Sequence, residues 1–130
     1  MPVARLGLVE LFAGLRTGRL AAELQGVEVP LSAAAECCPF ANSSAERRGS
    51  PEDLYHDVHE LDEGWASAFV AQAVRLGLTL ILLVAGFPCA GTSRSQGRHR
   101  PNLRDYKSKL FWEVPRVRDL LRRAAIPVGI

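Results

Sequence analysis

The chain has 130 residues, which bounds it to one domain with a core large enough to form without disulfide or metal staples. Hydrophobic residues at 48% and charged residues at 23% are ordinary globular values and exclude wholesale disorder, while a net charge of +2 is too mild to name a partner by itself. Three cysteines, Cys37, Cys38 and Cys89, form neither a CxxC pair nor a four-ligand zinc spacing, so a reducing compartment is expected, with no metal site.

Short apolar runs alternate with helical patterns, the signature of a parallel sheet covered on both faces. Leu6 to Phe12 is the first expected strand. It runs into the small-residue turn Ala13, Gly14, Leu15, Arg16, Thr17 and Gly18, then into a helix that Gly26 stops. Val27 to Glu36 is the second strand; residues 40–48 have helical composition, and Gly49, Ser50 and Pro51 mark a loop. Leu54 to Val58 is a short third strand, followed by an amphipathic helix from Trp65 to Leu76. Leu78 to Phe87 is apolar on both faces and is expected at the centre of the sheet. At about half of the roughly 20 residues a membrane span requires, this run excludes a transmembrane helix, and the N-terminus carries no signal-peptide pattern. Residues 91–107 are polar, Ser108 to Ala125 reads as a further helix, and Ile126 to Ile130 begins a fifth strand.

Four places carry potential chemistry. Gly14 and Gly18 bracket a strand-to-helix turn where backbone amides can approach a ligand, without the GxGxxG spacing of dinucleotide folds. Glu36 and Asp57 fall at the carboxyl ends of the second and third strands, the edge where open α/β sheets bind ligands. Cys89 follows Gly86, Phe87 and Pro88 at the same edge, with Arg94, Arg98 and Arg100 close enough in sequence to favour a thiolate; Cys37 and Cys38 lack such neighbours and read as packing residues. From Arg94 to Lys109 six basic residues face one acid, Asp105, as a phosphate-binding segment would require.

The order of these features resembles the DNA cytosine-5 methyltransferases. "ELFAGLRTG" at Glu10 to Gly18, Glu36, Asp57, "GFPCAGTS" at Gly86 to Ser93 and "KSKLFWEVPRVRDLL" at Lys107 to Leu121 are similar to that family's successive motifs, with "RTG" nearest to the de novo animal type. The resemblance implies an open Rossmann-like S-adenosylmethionine-dependent methyltransferase sheet, with residues 1–130 as the N-terminal portion of a catalytic domain. By position it assigns Phe12 to the adenine, Ala13, Gly14, Leu15, Arg16, Thr17 and Gly18 to the methionine part of the cofactor, Glu36 with Cys37 to the ribose, and Asp57 to the adenine amino group. Val58, Leu110 and Gly86 would complete the pocket. Pro88 and Cys89 would form the catalytic turn, and Ser93, Arg94, Arg98, Arg100 and Lys109 would hold DNA. Methyl transfer to carbon 5 of a flipped-out cytosine through a Cys89 adduct is the implied reaction.

Glu10 stands where the family has Asp, and Ala90 where it often has Gln or Asn. The family's "ENV" glutamate, its target-recognition region and its last helix have no match before Ile130, so turnover is expected to need that remainder or a partner supplying it. Two other readings follow from the same residues: a tRNA-type cytosine methyltransferase acting on RNA, and a catalytically inactive truncated paralogue acting as a binding module. The substrate implies a nuclear location, otherwise a cytoplasmic one.

Overall fold

The computed structural model describes residues 3–49, 52–86, 108–124 and 128–129. Five strands form one all-parallel sheet in the order β3-β2-β1-β4-β5. They are β1 (Arg5–Leu11), β2 (Glu28–Ala35), β3 (Asp53–Tyr55), β4 (Ile81–Ala85) and β5 (Val128–Gly129). The helices are α1 (Thr17–Leu24), α2 (Pro39–Arg47), α3 (Glu63–Arg75) and α4 (Glu113–Arg123), with 3-10 turns at Val58–Glu60 and Ser108–Trp112. This is an open Rossmann-like α/β sheet with helices on both faces, as the alternation of apolar runs implies.

The centre of the sheet is β1, which pairs with β2 and β4; β4 lies one place further out. Period-two geometry sends alternate residues of β1 to opposite faces. Leu6 and Leu8 pack with Val29 and, through Ala22, with α1. Val9 and Leu11 join Ala33, Ala35, Ile81 and Leu83 beneath Phe69, Val70 and Ala73 of α3 and Val117 and Leu121 of α4. Gly7 lies on this second face, where an added Cβ would come within 3.4 Å of Ile81 and 3.6 Å of Phe69. Burial of each large aliphatic side chain here contributes about 1.5–3 kcal/mol, so this second layer supplies most of the apolar stabilisation.

The structure alters several boundaries. The fourth strand begins at Ile81 rather than Leu78, because Gly77, at φ +69, ends the α3 connection and the Leu78 amide still bonds back to Ala73. The third strand ends at Tyr55, and Val58 opens a 3-10 turn capped by Asp57. The helix expected from Ser108 divides into a 3-10 turn and α4, with Pro115 in the first turn of α4, where a missing N–H costs least. No helix among the described residues is long and apolar enough to cross a membrane.

Candidate functional site

Parallel register brings the strand ends into one row. Leu11 lies opposite Ala35 and Ala85, and Ala35 opposite Tyr55, so Phe12, Glu36, His56 and Gly86 follow one another along the carboxyl edge. Backbone bonds continue the ladder past the strands: Ala13 N–H to the Ala35 carbonyl at 3.1 Å, Glu36 N–H to Tyr55 at 3.0 Å, and Gly86 N–H to Leu11 at 3.2 Å.

The turn leaving β1 is tightly specified. Phe12 (φ 54), Gly14 (φ 52) and Arg16 (φ 64) all lie in the left-handed region, which is unfavourable for the two non-glycine residues and is maintained only by surrounding contacts. Two carboxylates supply those contacts. Glu36 accepts the Gly14 N–H at 2.7 Å through Oε1 and the Cys38 N–H at 2.9 Å through Oε2, tying the β1 turn to the start of α2. Glu10, 4% exposed on the α1 face of β1, accepts the Arg19 N–H at 2.7 Å in the first turn of α1. Burial pushes the Glu10 carboxyl above its usual range, opposed by the amides of Arg19 and Gly18.

Arg16 departs from its expected role beside the cofactor's methionine part. Its side chain is 2% exposed and is consumed internally: Nε to Glu52 at 2.6 Å, one terminal nitrogen to the Gly14 carbonyl at 2.5 Å, the other to Asn42 Oδ1 at 2.7 Å. The guanidinium joins the turn to α2 and to the approach to β3, while Leu15 beside it is exposed. A cleft of about 600 Å³ flanks this cluster, bordered by Arg16, Cys37, Asn42, Glu52, Leu54 and His56. Among the described residues expected to bind the cofactor, only Arg16 and Cys37 border it. Cys37 and Cys38 are exposed free thiols, not packing residues, because they occupy the turn outside the end of β2.

Asp57 is exposed and caps the 3-10 turn, accepting the His59 N–H at 2.9 Å. That amide, and then the His59 ring at 2.7 Å, hold its carboxyl below the usual range. Val58, expected to line the pocket, is buried in the main core, since the 3-10 turn rotates it inward. Leu110 is partly buried against the same core, beside exposed Lys109. Gly86 is exposed, and an added Cβ would meet the Phe12 carbonyl at 3.8 Å. Pro88, Cys89, Ser93, Arg94, Arg98 and Arg100 lie outside the described residues.

Glu52, Asn42 and the His59–Glu113 contact carry no signal in the sequence. None stands in a spacing pattern, and each becomes visible only when distant segments meet. For Glu10 there was a signal: a lone acid in an apolar strand, buried only where partners await it.

No protein-family model matches the chain, and no curated protein matches it. Among solved structures it is similar to an oxidoreductase from Sinorhizobium meliloti, with a TM-score of 0.47 and 16% identity over 98% of this chain. The chain spans 28% of the length of that protein, and a likeness at this level says nothing about the reaction.

Proposed function

We propose that the chain belongs to a system transferring a methyl group from S-adenosylmethionine to carbon 5 of cytosine in DNA, with Cys89 as the nucleophile. The observation that supports this most is the row formed by the Phe12–Gly18 turn, Glu36 and Gly86 at one carboxyl edge, with Asp57 two residues beyond β3. Their order along the chain is that of the cytosine-5 methyltransferase motifs, and "PCAGTS" follows Gly86 and Phe87 directly.

The acidic groups suit such a cofactor. Each oxygen of Glu36 accepts one backbone amide, and a carboxylate has about four acceptor positions, so capacity remains for ribose hydroxyls. Asp57 is exposed, and its ionised form is favoured, as recognition of an amino group requires. Phe12 would pack on the adenine and the backbone of the Gly14 turn would approach the methionine part. Arg16 and Val58 serve these positions from behind, by holding the turn and by anchoring Asp57. When bound, S-adenosylmethionine supplies a methyl group activated on sulfonium sulfur.

The Cys89 thiolate would add to carbon 6 of a flipped-out cytosine, making carbon 5 nucleophilic, and would leave by β-elimination after carbon 5 loses its proton. Ser93, Arg94, Arg98, Arg100 and Lys109 would neutralise backbone phosphates.

The test is calorimetric titration of the folded chain with S-adenosylmethionine, with Glu36→Ala and Asp57→Ala as controls, followed by covalent capture on a fluorocytosine-containing duplex. Binding lost in both variants, and capture lost in Cys89→Ser, are expected. A folded chain that binds no cofactor would overturn the reading, and capture by tRNA alone would move the substrate to RNA.

A further inference from the structure

We propose that His59 is a positioning residue, whose imidazole joins Asp57 to Glu113 on α4 and thereby fixes the carboxylate that would receive the cofactor's amino group. The inference rests on the cofactor reading for its ligand; the geometry behind it does not. Asp57 has a side chain 61% exposed, and a carboxylate so placed would ordinarily rotate freely. Instead, Oδ1 receives the His59 backbone N–H at 2.9 Å and meets ring Nδ1 at 2.7 Å. Both contacts fall on Oδ1, and the carboxylate also accepts the Glu60 N–H in a capping box; with about four acceptor positions, it retains capacity for a ligand's amino group.

The opposite ring nitrogen, Nε2, lies 3.3 Å from Glu113 Oε1. Glu113 is held in turn by Arg116, which donates to the carbonyls of Leu61 at 2.6 Å and Val58 at 3.0 Å. The chain of contacts thus leaves the 3-10 turn through His59, reaches α4, and returns to the same turn through Arg116. It closes over a segment more than fifty residues distant in sequence. The Glu60 carboxylate completes the frame by accepting the Asp57 N–H at 3.2 Å. A surface acid at the edge of an α/β sheet needs no such frame for capping alone, since the backbone bond from His59 already does that; the added ring contacts restrict the carboxylate itself.

Asparagine places its amide nitrogen near the position of ring Nδ1 and glutamine near that of Nε2, so the two substitutions separate the grip on Asp57 from the tether to α4. In the whole 130-residue chain, His59→Ala is expected to weaken S-adenosylmethionine binding about three- to tenfold, the scale of one charge-assisted hydrogen bond discounted for exposure. His59→Asn is expected to restore affinity to within about twofold, and His59→Gln to leave it weakened. Wild-type affinity in all three variants would overturn the proposal while leaving the cofactor reading intact. Rescue by glutamine alone would also overturn it, since the effect would then run through Glu113. Amide exchange of His59 and Leu61, measured without ligand in the same variants, decides the contact if the wild type binds no cofactor. Exchange several-fold faster in His59→Ala supports the His59 frame; unchanged exchange overturns it.

Discussion

Glu10 and Gly18 are packed so closely that a Cβ on Gly18 would lie 3.1 Å from the Glu10 carboxyl carbon and 3.1 Å from Oε2. The carboxylate cannot readily give way, because it is buried on β1 and bonded to the Arg19 amide at 2.7 Å. Gly18→Ala therefore sets two effects against each other. Alanine near a helix start gains up to about 1 kcal/mol in propensity, while overpacking costs about 1–3 kcal/mol. The clash wins: the variant is expected to be about 1 kcal/mol less stable in urea unfolding, and a stabilised variant would show that Glu10 moves freely.

Burial raises the Glu10 carboxyl above its ordinary value of 4.5, and this fixes the sign of its pH dependence. A carboxyl with a raised folded-state value contributes stability fully present below the unfolded value and lost as pH rises through the folded one. Glu10→Gln keeps an acceptor oxygen for the amides and cannot ionise. Relative to wild type, the variant should gain stability between pH 4.5 and 7, measured by denaturant titration at both values. A constant difference across that range would show the carboxyl titrating alike in both states. Asp57 has the opposite sign: its lowered value favours the fold above 3.8 and ceases to do so as pH falls through the lower folded value.

The parallel α/β class and the shared edge were legible because apolar runs such as Leu6–Leu11 and Ile81–Ala85 announce buried parallel strands. The central place expected for the fourth strand belongs to β1, however, since an all-apolar run marks burial on both faces and not a position in the sheet. Glu36 and Asp57 were legible as edge acids from such runs. Arg16 was not. Its neighbours suggested a solvent-facing ligand turn, and its burial depends on Glu52 and Asn42, which the fold brings from 36 and 26 residues away. Val58 was misread because apolar character cannot distinguish the end of a strand from a 3-10 turn dipping into the core. Leu78 continued the strand's apolar run, and only the left-handed Gly77 and the bond to Ala73 assign it to the preceding connection.

The pair Arg16–Glu52, at 2.6 Å with side chains 2% and 5% exposed, is a buried charge pair whose partners depend on one another. Removing either partner leaves the other desolvated, at a cost of about 3–5 kcal/mol. Arg16→Ala is expected to lose that much in urea unfolding and to loosen the Gly14 turn. Glu52→Gln, which keeps an acceptor for Nε, should lose less. Equal losses would mean that charge, not hydrogen bonding, dominates the contact.

Glu36 has two tasks, and its variants must separate them. Its carboxylate holds the amides of Gly14 and Cys38 with one oxygen each, so Glu36→Gln turns an amide nitrogen toward one of two N–H donors. The loss should be about 1–3 kcal/mol of stability without any ligand, measurable by urea unfolding of the chain alone. Asp57 lacks this structural load: it is exposed, and its bonds are local to one 3-10 turn. Asp57→Asn should therefore leave stability within about 0.5 kcal/mol of wild type while weakening S-adenosylmethionine binding. A loss of binding in Glu36→Gln alone, in step with its stability, would reflect a collapsed turn. Loss in Asp57→Asn at unchanged stability would instead be a direct effect on the ligand, because an amide oxygen still caps the turn but no longer offers a charged acceptor.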